Sequence, residues 1–414
     1  MDARYIAAAI PLFFLAIGLE LLVTRRRADP AYRFADSITN LSCGVGQQVL
    51  GVFLKAAMLA GYVWAYEHAR IFTISPRSIV GWIALLFALD LCYYCFHRAS
   101  HRINLIWAGH IVHHQSEEYN LSVALRQSWF VGAIAWVFYV PLAIAGFSPL
   151  MYVTMITLNT LYQFWIHTRS IGKLGPLEWV FNTPSHHRVH HGINPKYIDK
   201  NYAGIFIIWD RWLGTFQAEE DEPVYGTVKP LSSWNPLWAN VEHFVTMARL
   251  GRSSGRLLDL LTVWFRPPEW LPAELGGVAR IPEVARATQR RFEIPVRSTV
   301  RRYVLSNYVL VTLATTVFLL VQTSVSLPLL VAVGVAILIT LVSLGALLEQ
   351  RRWAIPLETL RLAGVLSMLV SLCRASERFV PLASVAALVT LLFGAWLWRL
   401  RAAGTLATTG LEAG

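Results

Sequence analysis

The sequence predicts an all-α, polytopic integral membrane protein with about nine transmembrane helices and a histidine-rich cap on the cytoplasmic side. Three observations predict it. Hydrophobic residues make up 55% of the 414 residues and charged residues only 15%, a more apolar balance than that of soluble domains. The apolar residues fall into runs of spanning length, roughly 17–25 residues. The charge is strongly basic, 36 Lys+Arg against 25 Asp+Glu. In so apolar a chain this reads as loops at the cytoplasmic leaflet, not as a nucleic-acid surface.

The first run, residues 6–23, is followed by Arg25, Arg26 and Arg27 and by no A-x-A cleavage site, so it reads as a retained helix. Glu20, near its end, is expected to snorkel. Further runs lie at 43–64, 79–95, 131–147, 150–166, 303–321, 327–347, 355–372 and 380–398. With the Arg25 cluster inside, alternation places 96–130 and 167–302 on the cytoplasmic side, together with Arg351, Arg352, Arg399 and Arg401. The other side receives short turns, of which the one near 374–377 carries mixed charge.

Four regions follow. They are N-terminal transmembrane helices over 1–78, a histidine-bearing domain over 79–217, a cytoplasmic membrane-hugging segment over 218–302 and a four-helix transmembrane region over 303–414. The third contains the break Arg266-Pro267-Pro268-Glu269, and the fourth carries no histidine. The Ala/Gly/Thr-rich tail after Arg401 reads as a frayed terminus. Cys43, Cys92, Cys95 and Cys373 form no disulfide framework. The C-x-x-C of Cys92 and Cys95 lies in an apolar span and reads as packing.

Of the twelve histidines, ten lie in three places that this topology brings to one membrane face. The first holds His97 and His101, then His110, His113 and His114. The second is His167, at the end of the fifth run, and the third is His186, His187, His190 and His191. On a helix, residues three or four apart share a face at about 5–6 Å, so H-x-x-x-H and H-x-x-H-H let imidazoles converge on a metal. Nine candidates, His97, His101, His110, His113, His114, His167, His187, His190 and His191, exceed the four positions of a tetrahedral zinc, and two metals follow. Imidazole suits iron, zinc, copper and nickel alike. No H-E-x-x-H occurs, since Arg98 stands where a zinc hydrolase needs its glutamate. His68 and His243 read as ordinary polar residues.

A ligating imidazole needs an acceptor for its other nitrogen. Candidates for orienting the ligands are Asp90, Glu118, Asn120, Gln163, Asn182, His186, Asp199, Asn201 and Asp210, with Glu117 a further neighbour. Asp90 stands out as a carboxylate inside an apolar run, two helical turns before His97.

The stretch from Asp90 to Phe216 resembles the fatty acid hydroxylase and sterol desaturase superfamily of membrane di-iron enzymes. The likeness is carried by the histidine spacings and by Trp107-Ala108-Gly109-His110, Tyr119-Asn120-Leu121-Ser122, Ala124-Leu125-Arg126-Gln127-Ser128 and Asn182-Thr183-Pro184-Ser185-His186-His187. The resemblance implies two iron ions, O2 as oxidant and a lipid substrate drawn from the bilayer. Within the superfamily the motifs look like those of a branch that hydroxylates the carbon beside the ether oxygen of glyceryl ether lipids, with tetrahydrobiopterin as reductant. A redox protein is the other class of electron donor. Arg102 departs from that branch, where an acidic residue is expected after His101. Sterol, carotenoid or fatty acyl hydroxylation or desaturation on the same site is an alternative, as is a non-catalytic zinc-binding membrane protein.

Overall fold

The computed structural model describes residues 3–27, 29–375 and 380–402. Parts of the mixed-charge turn and the tail from residue 403 onward lie outside the described residues. The described chain is helical, with no strand and three isolated β-bridges. It forms two compact units, Met1–Ser232 with Trp238–Phe292, and Ser233–Leu237 with Glu293–Gly414.

In the first unit α1 (Ala3–Thr24) leads into α2 (Phe34–Ala69), whose 36 residues extend well before the apolar run that begins at Cys43. At 1.5 Å per residue α2 is about 54 Å long against a hydrocarbon core of about 30 Å, so one end must project beyond it. The extra N-terminal turns bury Asp36 and Asn40. Two glycines let a loop approach this helix closely. A Cβ on Gly44 would lie 2.4 Å from the carbonyl oxygen of Leu125, and one on Gly46 would lie 2.3 Å from the Trp129 ring.

Ser78 caps α3 (Ile79–Arg102) by accepting from the Gly81 N–H, and α3 runs past the predicted end of its apolar run at Cys95 to carry His97 and His101. Only Ile103 separates it from α4 (Asn104–His114). The run at 131–147, expected as one crossing, forms α5 (Gly132–Ala135), a tight 3₁₀ segment over Trp136–Tyr139, and α6 (Val140–Ala145). Pro141 has no N–H to donate back along the helix, and Gly146 at φ +98° ends it. The next run is the 17-residue α7 (Pro149–Trp165), capped by Ser148. Leu85 and Leu89 of α3, Tyr62 of α2, Leu142 of α6 and Met151 and Met155 of α7 form the core between these helices.

Three short helices, α8 (Pro184–His190), α9 (Ile208–Trp212) and α11 (Leu257–Thr262), and the 18-residue α10 (Pro236–Ser253) follow. The second unit is built from α12 (Ser298–Val321), α13 (Leu327–Leu348), α14 (Ala354–Ala375) and α15 (Val380–Ala402). Among the described residues six helices, α2, α3 and α12 to α15, are long and apolar enough to cross a membrane. The chain is an integral membrane protein. Within the C-terminal four helices Glu358 is buried and fully bonded, accepting from Tyr303, Ser343 and Arg361.

Candidate metal centre

The helix ends place the histidines. His97 and His101 are one turn apart at the end of α3, and His110, His113 and His114 fill the last turn and a half of α4. His167 follows α7, and α8 carries His187 and His190, with His191 as its C-cap. These side chains gather into two groups. His97, His101, His110, His114 and His190 form one, and His113, His167, His187 and His191 form the other, with the candidate ligand atoms of each within 4.8 Å of one another. Each group mixes the sequence clusters. Within H-x-x-H-H, His110 and His114 face one group while His113 faces the other, because 100° per residue turns the middle position away.

Hydrogen bonds fix four of the rings. His97 Nδ1 donates to the Tyr202 carbonyl at 2.7 Å, His113 Nδ1 to Arg126 at 3.1 Å, His167 Nδ1 to Gln163 at 2.7 Å and His190 Nδ1 to Lys200 at 2.9 Å. A carbonyl can only accept, so in the neutral ring the proton is on Nδ1 and the lone pair on Nε2 points inward. His113 and His167 then face each other with bare Nε2 atoms 3.1 Å apart. Two lone pairs at that distance repel, and a cation shared between them removes the repulsion. Among the described residues the buried Nε2 atoms of His101, His190 and His191 have no hydrogen-bond partner. Orphaned, inward-facing nitrogens in two groups are donors that fit metal binding.

Electrostatics agree. Burial, reinforced by neighbouring imidazoles, holds His110, His114, His167, His187, His190 and His191 well below the ordinary histidine value of 6.5. Burial brings His113 down to about 4, opposed by its bond to the Arg126 carbonyl. The rings are therefore neutral, the form that binds metal.

The residues expected to orient the ligands have varied partners. Gln163 does so through its backbone carbonyl, while its side chain donates to Asn159. Asp199 Oδ1 is 3.7 Å from His101 Nδ1. Asp210 accepts from the N–H groups of Tyr202 and Ala203, holding the strip whose Tyr202 carbonyl receives His97. Asn201 bonds the backbone of His186 and Gln217. Asp90 accepts from the N–H groups of Ile205 and Phe206 and from Trp209 and Asn159, so its bonds tie a loop to α3 and none goes to an imidazole. Asn182 bonds the carbonyls of Ala203 and Gly204, and Asn120 bonds Ala31 and Ser122. Glu118 pairs with Arg286 and Arg291. His186 stands outside both groups, 4.0 Å from Glu178.

Arg102 pairs with Asp199 and lies 3.8 Å from Glu269, so its charge is met beside the site. His68 is exposed beside Trp64, and His243 bonds Asn104; neither joins a group.

Several contributors escape a reading by residue type. The carbonyls of Tyr202, Arg126 and Lys200 have no sequence signature. Arg126, 2% exposed, bonds the Val112 carbonyl, Asn40 and Gln115 and so anchors its own segment under α4. Tyr119, stacked on Tyr225 at 4.9 Å, lies 5.2 Å from the His191 ring. Glu20 corrects the snorkelling expectation. It is 7% exposed and accepts from Tyr32, Thr168 and the Leu121 N–H, because three donors from other segments converge on it.

Residues 82–215, which span these histidines, match the family model for fatty acid hydroxylase. The chain is 38% identical over 365 residues to alkylglycerol monooxygenase of Homo sapiens, covering 86% of this chain and 80% of that protein. It is 37% identical to alkylglycerol monooxygenase of Danio rerio at the same coverage. Cholesterol 25-hydroxylase of Homo sapiens is 23% identical over 224 residues, 52% of this chain and 80% of that protein. No solved structure matches.

Proposed function

The chain belongs to the fatty acid hydroxylase family, with the alkylglycerol monooxygenases, and on that premise we propose that it cleaves glyceryl ether lipids by hydroxylating the carbon beside the ether oxygen. The single observation that carries the reading is the pair of buried histidine groups, five and four, with imidazole nitrogens turned inward.

The first group would hold one iron through His97, His101, His110, His114 and His190, and the second would hold another through His113, His167, His187 and His191. Iron bound there supplies activation of O2 and insertion of one oxygen atom into the C–H bond. The chain's own residues do the rest. The carbonyls of Tyr202, Arg126, Gln163 and Lys200 fix the imidazoles, and Asp199 lies beside His101. Burial of all nine rings keeps bulk water from the centre.

The reaction balances as ether C–H plus O2, two electrons and two protons to the C–OH product and water. That product is a hemiacetal, which breaks at the C–O bond to a fatty aldehyde and the glycerol residue. The electrons come from an outside donor. A tetrahydropterin such as tetrahydrobiopterin is the small-molecule candidate, and a redox protein is the alternative. The Arg25, Arg26 and Arg27 cluster supports a site facing the cytoplasm. The division at 1–78, 79–217, 218–302 and 303–414 assigns the chemistry to the second region.

Metal analysis of the purified protein, with O2 uptake and aldehyde release from a glyceryl ether in the presence of a tetrahydropterin, tests this. Iron with ether-dependent uptake is expected. Zinc alone, or no uptake with the ether, would overturn it.

A further inference from the structure

α11 lies with one side on α10, where a Cβ on Gly251 would be 2.9 Å from Leu260 Cα, buries none of its own residues fully, and leaves another apolar side bare. The buried residue of this stretch is its C-cap, Val263. Val263 packs with Met247 and Ala108, and Trp264, Phe244 and Leu250 close around them. On the bare side Leu257, Leu258 and Leu261, with Phe265 a turn further on, are 59–69% exposed. A short helix with apolar residues on both sides calls for a non-aqueous neighbour on the second.

Two observations identify that neighbour. The first is height. Exposed apolar residues on α3 run from Ile79 through Ile83 and Phe87 to Cys95 and then give way to exposed Arg98 and Arg102, which marks where the helix leaves hydrocarbon. Just beyond, the Asn104 and Leu105 N–H groups donate to the carbonyls of Arg266 at 2.9 Å and Trp264 at 2.8 Å. Asn104 Nδ2 adds a bond to the Val263 carbonyl at 3.0 Å. The segment following α11 is thus stapled at the level of the membrane surface. The second is charge. Arg249, Arg252 and Arg266, in the stretches before and after α11, are exposed, Arg256 pairs with Glu274 at 2.8 Å, and Arg266 lies over the Trp270 ring.

We infer that α11 and Phe265 form a bilayer-contact surface, in which Leu257, Leu258, Leu261 and Phe265 enter the boundary between headgroups and acyl chains while Arg249, Arg252 and Arg266 meet lipid phosphates. The staple to Asn104 and Leu105 also fixes the start of α4, which carries three of the clustered histidines. The bilayer contact thereby braces the start of α4, beside the spanning α3 that carries His97 and His101. This rests on the membrane-spanning character of the chain and not on its oxygen chemistry.

A photo-crosslinking amino acid in place of Leu261, in the full chain reconstituted into phosphatidylethanolamine and phosphatidylglycerol liposomes, tests it. Lipid adducts are expected several-fold above those from the same amino acid at exposed Glu220. Adducts to a second copy of the chain, or no excess over position 220, would overturn the inference. As a second measurement, Leu258→Glu with Leu261→Glu should sharply lower lipid adducts from a crosslinker placed at Phe265, and unchanged adducts there would also overturn it. Neither readout needs turnover, so failure here is distinguishable from failure of the oxygenase reading.

Discussion

At His113 the imidazole is held from behind by the Arg126 carbonyl and faces His167 across 3.1 Å. Removing that ring removes one of four donors from its group. His113→Ala is therefore expected to cut bound metal and turnover towards background, whereas His68→Ala, on an exposed ring, should leave both within about twofold; metal content per chain checks both. Asp199→Ala should lower metal affinity or turnover roughly 10–100-fold, because it takes the carboxylate from beside His101. The lowered histidine pKa values set the response to acid. An unfolded chain binds protons below about 6.5, while the buried rings stay neutral to lower pH, His113 to about 4. Between those values the unfolded state holds more protons, so stability rises with pH and is lost as pH falls from about 6.5 toward the folded values. Metal retention and thermal stability should decline together over that window; a stability maximum near pH 5 would contradict neutral imidazoles.

α2 shows how packing between elements reaches the site. Gly44 and Gly46 admit the loop of Leu125 and Trp129, and the same loop presents the Arg126 carbonyl to His113. Gly44→Ala would press a Cβ onto backbone, which cannot rotate away. It should cost about 1–3 kcal/mol and loosen metal binding, as thermal unfolding and metal content would show. Asp90 works similarly from α3. Its four acceptor bonds hold Ile205, Phe206, Trp209 and Asn159, so Asp90→Ala should destabilise this unit by several kcal/mol through buried donors left unbonded. The helices carrying the histidines were legible because apolar length and i, i+4 spacing are local properties. The break at 136–139 was legible only as Pro141, and hydropathy averages over it. Which histidines share a group was not legible, since His113 parts from His110 and His114 only when α4 is set against α7 and α8.

Across the molecule, the supports that come from afar were the least legible. Glu20 lies 148 positions from Thr168, to which it is bonded, and no local pattern announces such a pairing. The C-terminal helices were legible as apolar lengths, and Glu358 and Arg361 stand at i, i+3 on one helix, but the bonds of Tyr303 and Ser343 to Glu358 from other helices required coordinates. Glu358→Ala would leave Arg361 buried without its carboxylate and should destabilise the four-helix unit by about 3–5 kcal/mol, whereas replacing both by leucine should recover much of the loss; protease sensitivity of the turns at 322–326 and 349–353 would report it. The central claim, that two histidine groups form a pair of iron sites, is met most directly by Mössbauer spectroscopy of iron-reconstituted protein alongside its metal-to-chain ratio. The account predicts about two irons per chain in a magnetically coupled pair. A single uncoupled iron, or stable zinc occupancy that iron cannot replace, would contradict it.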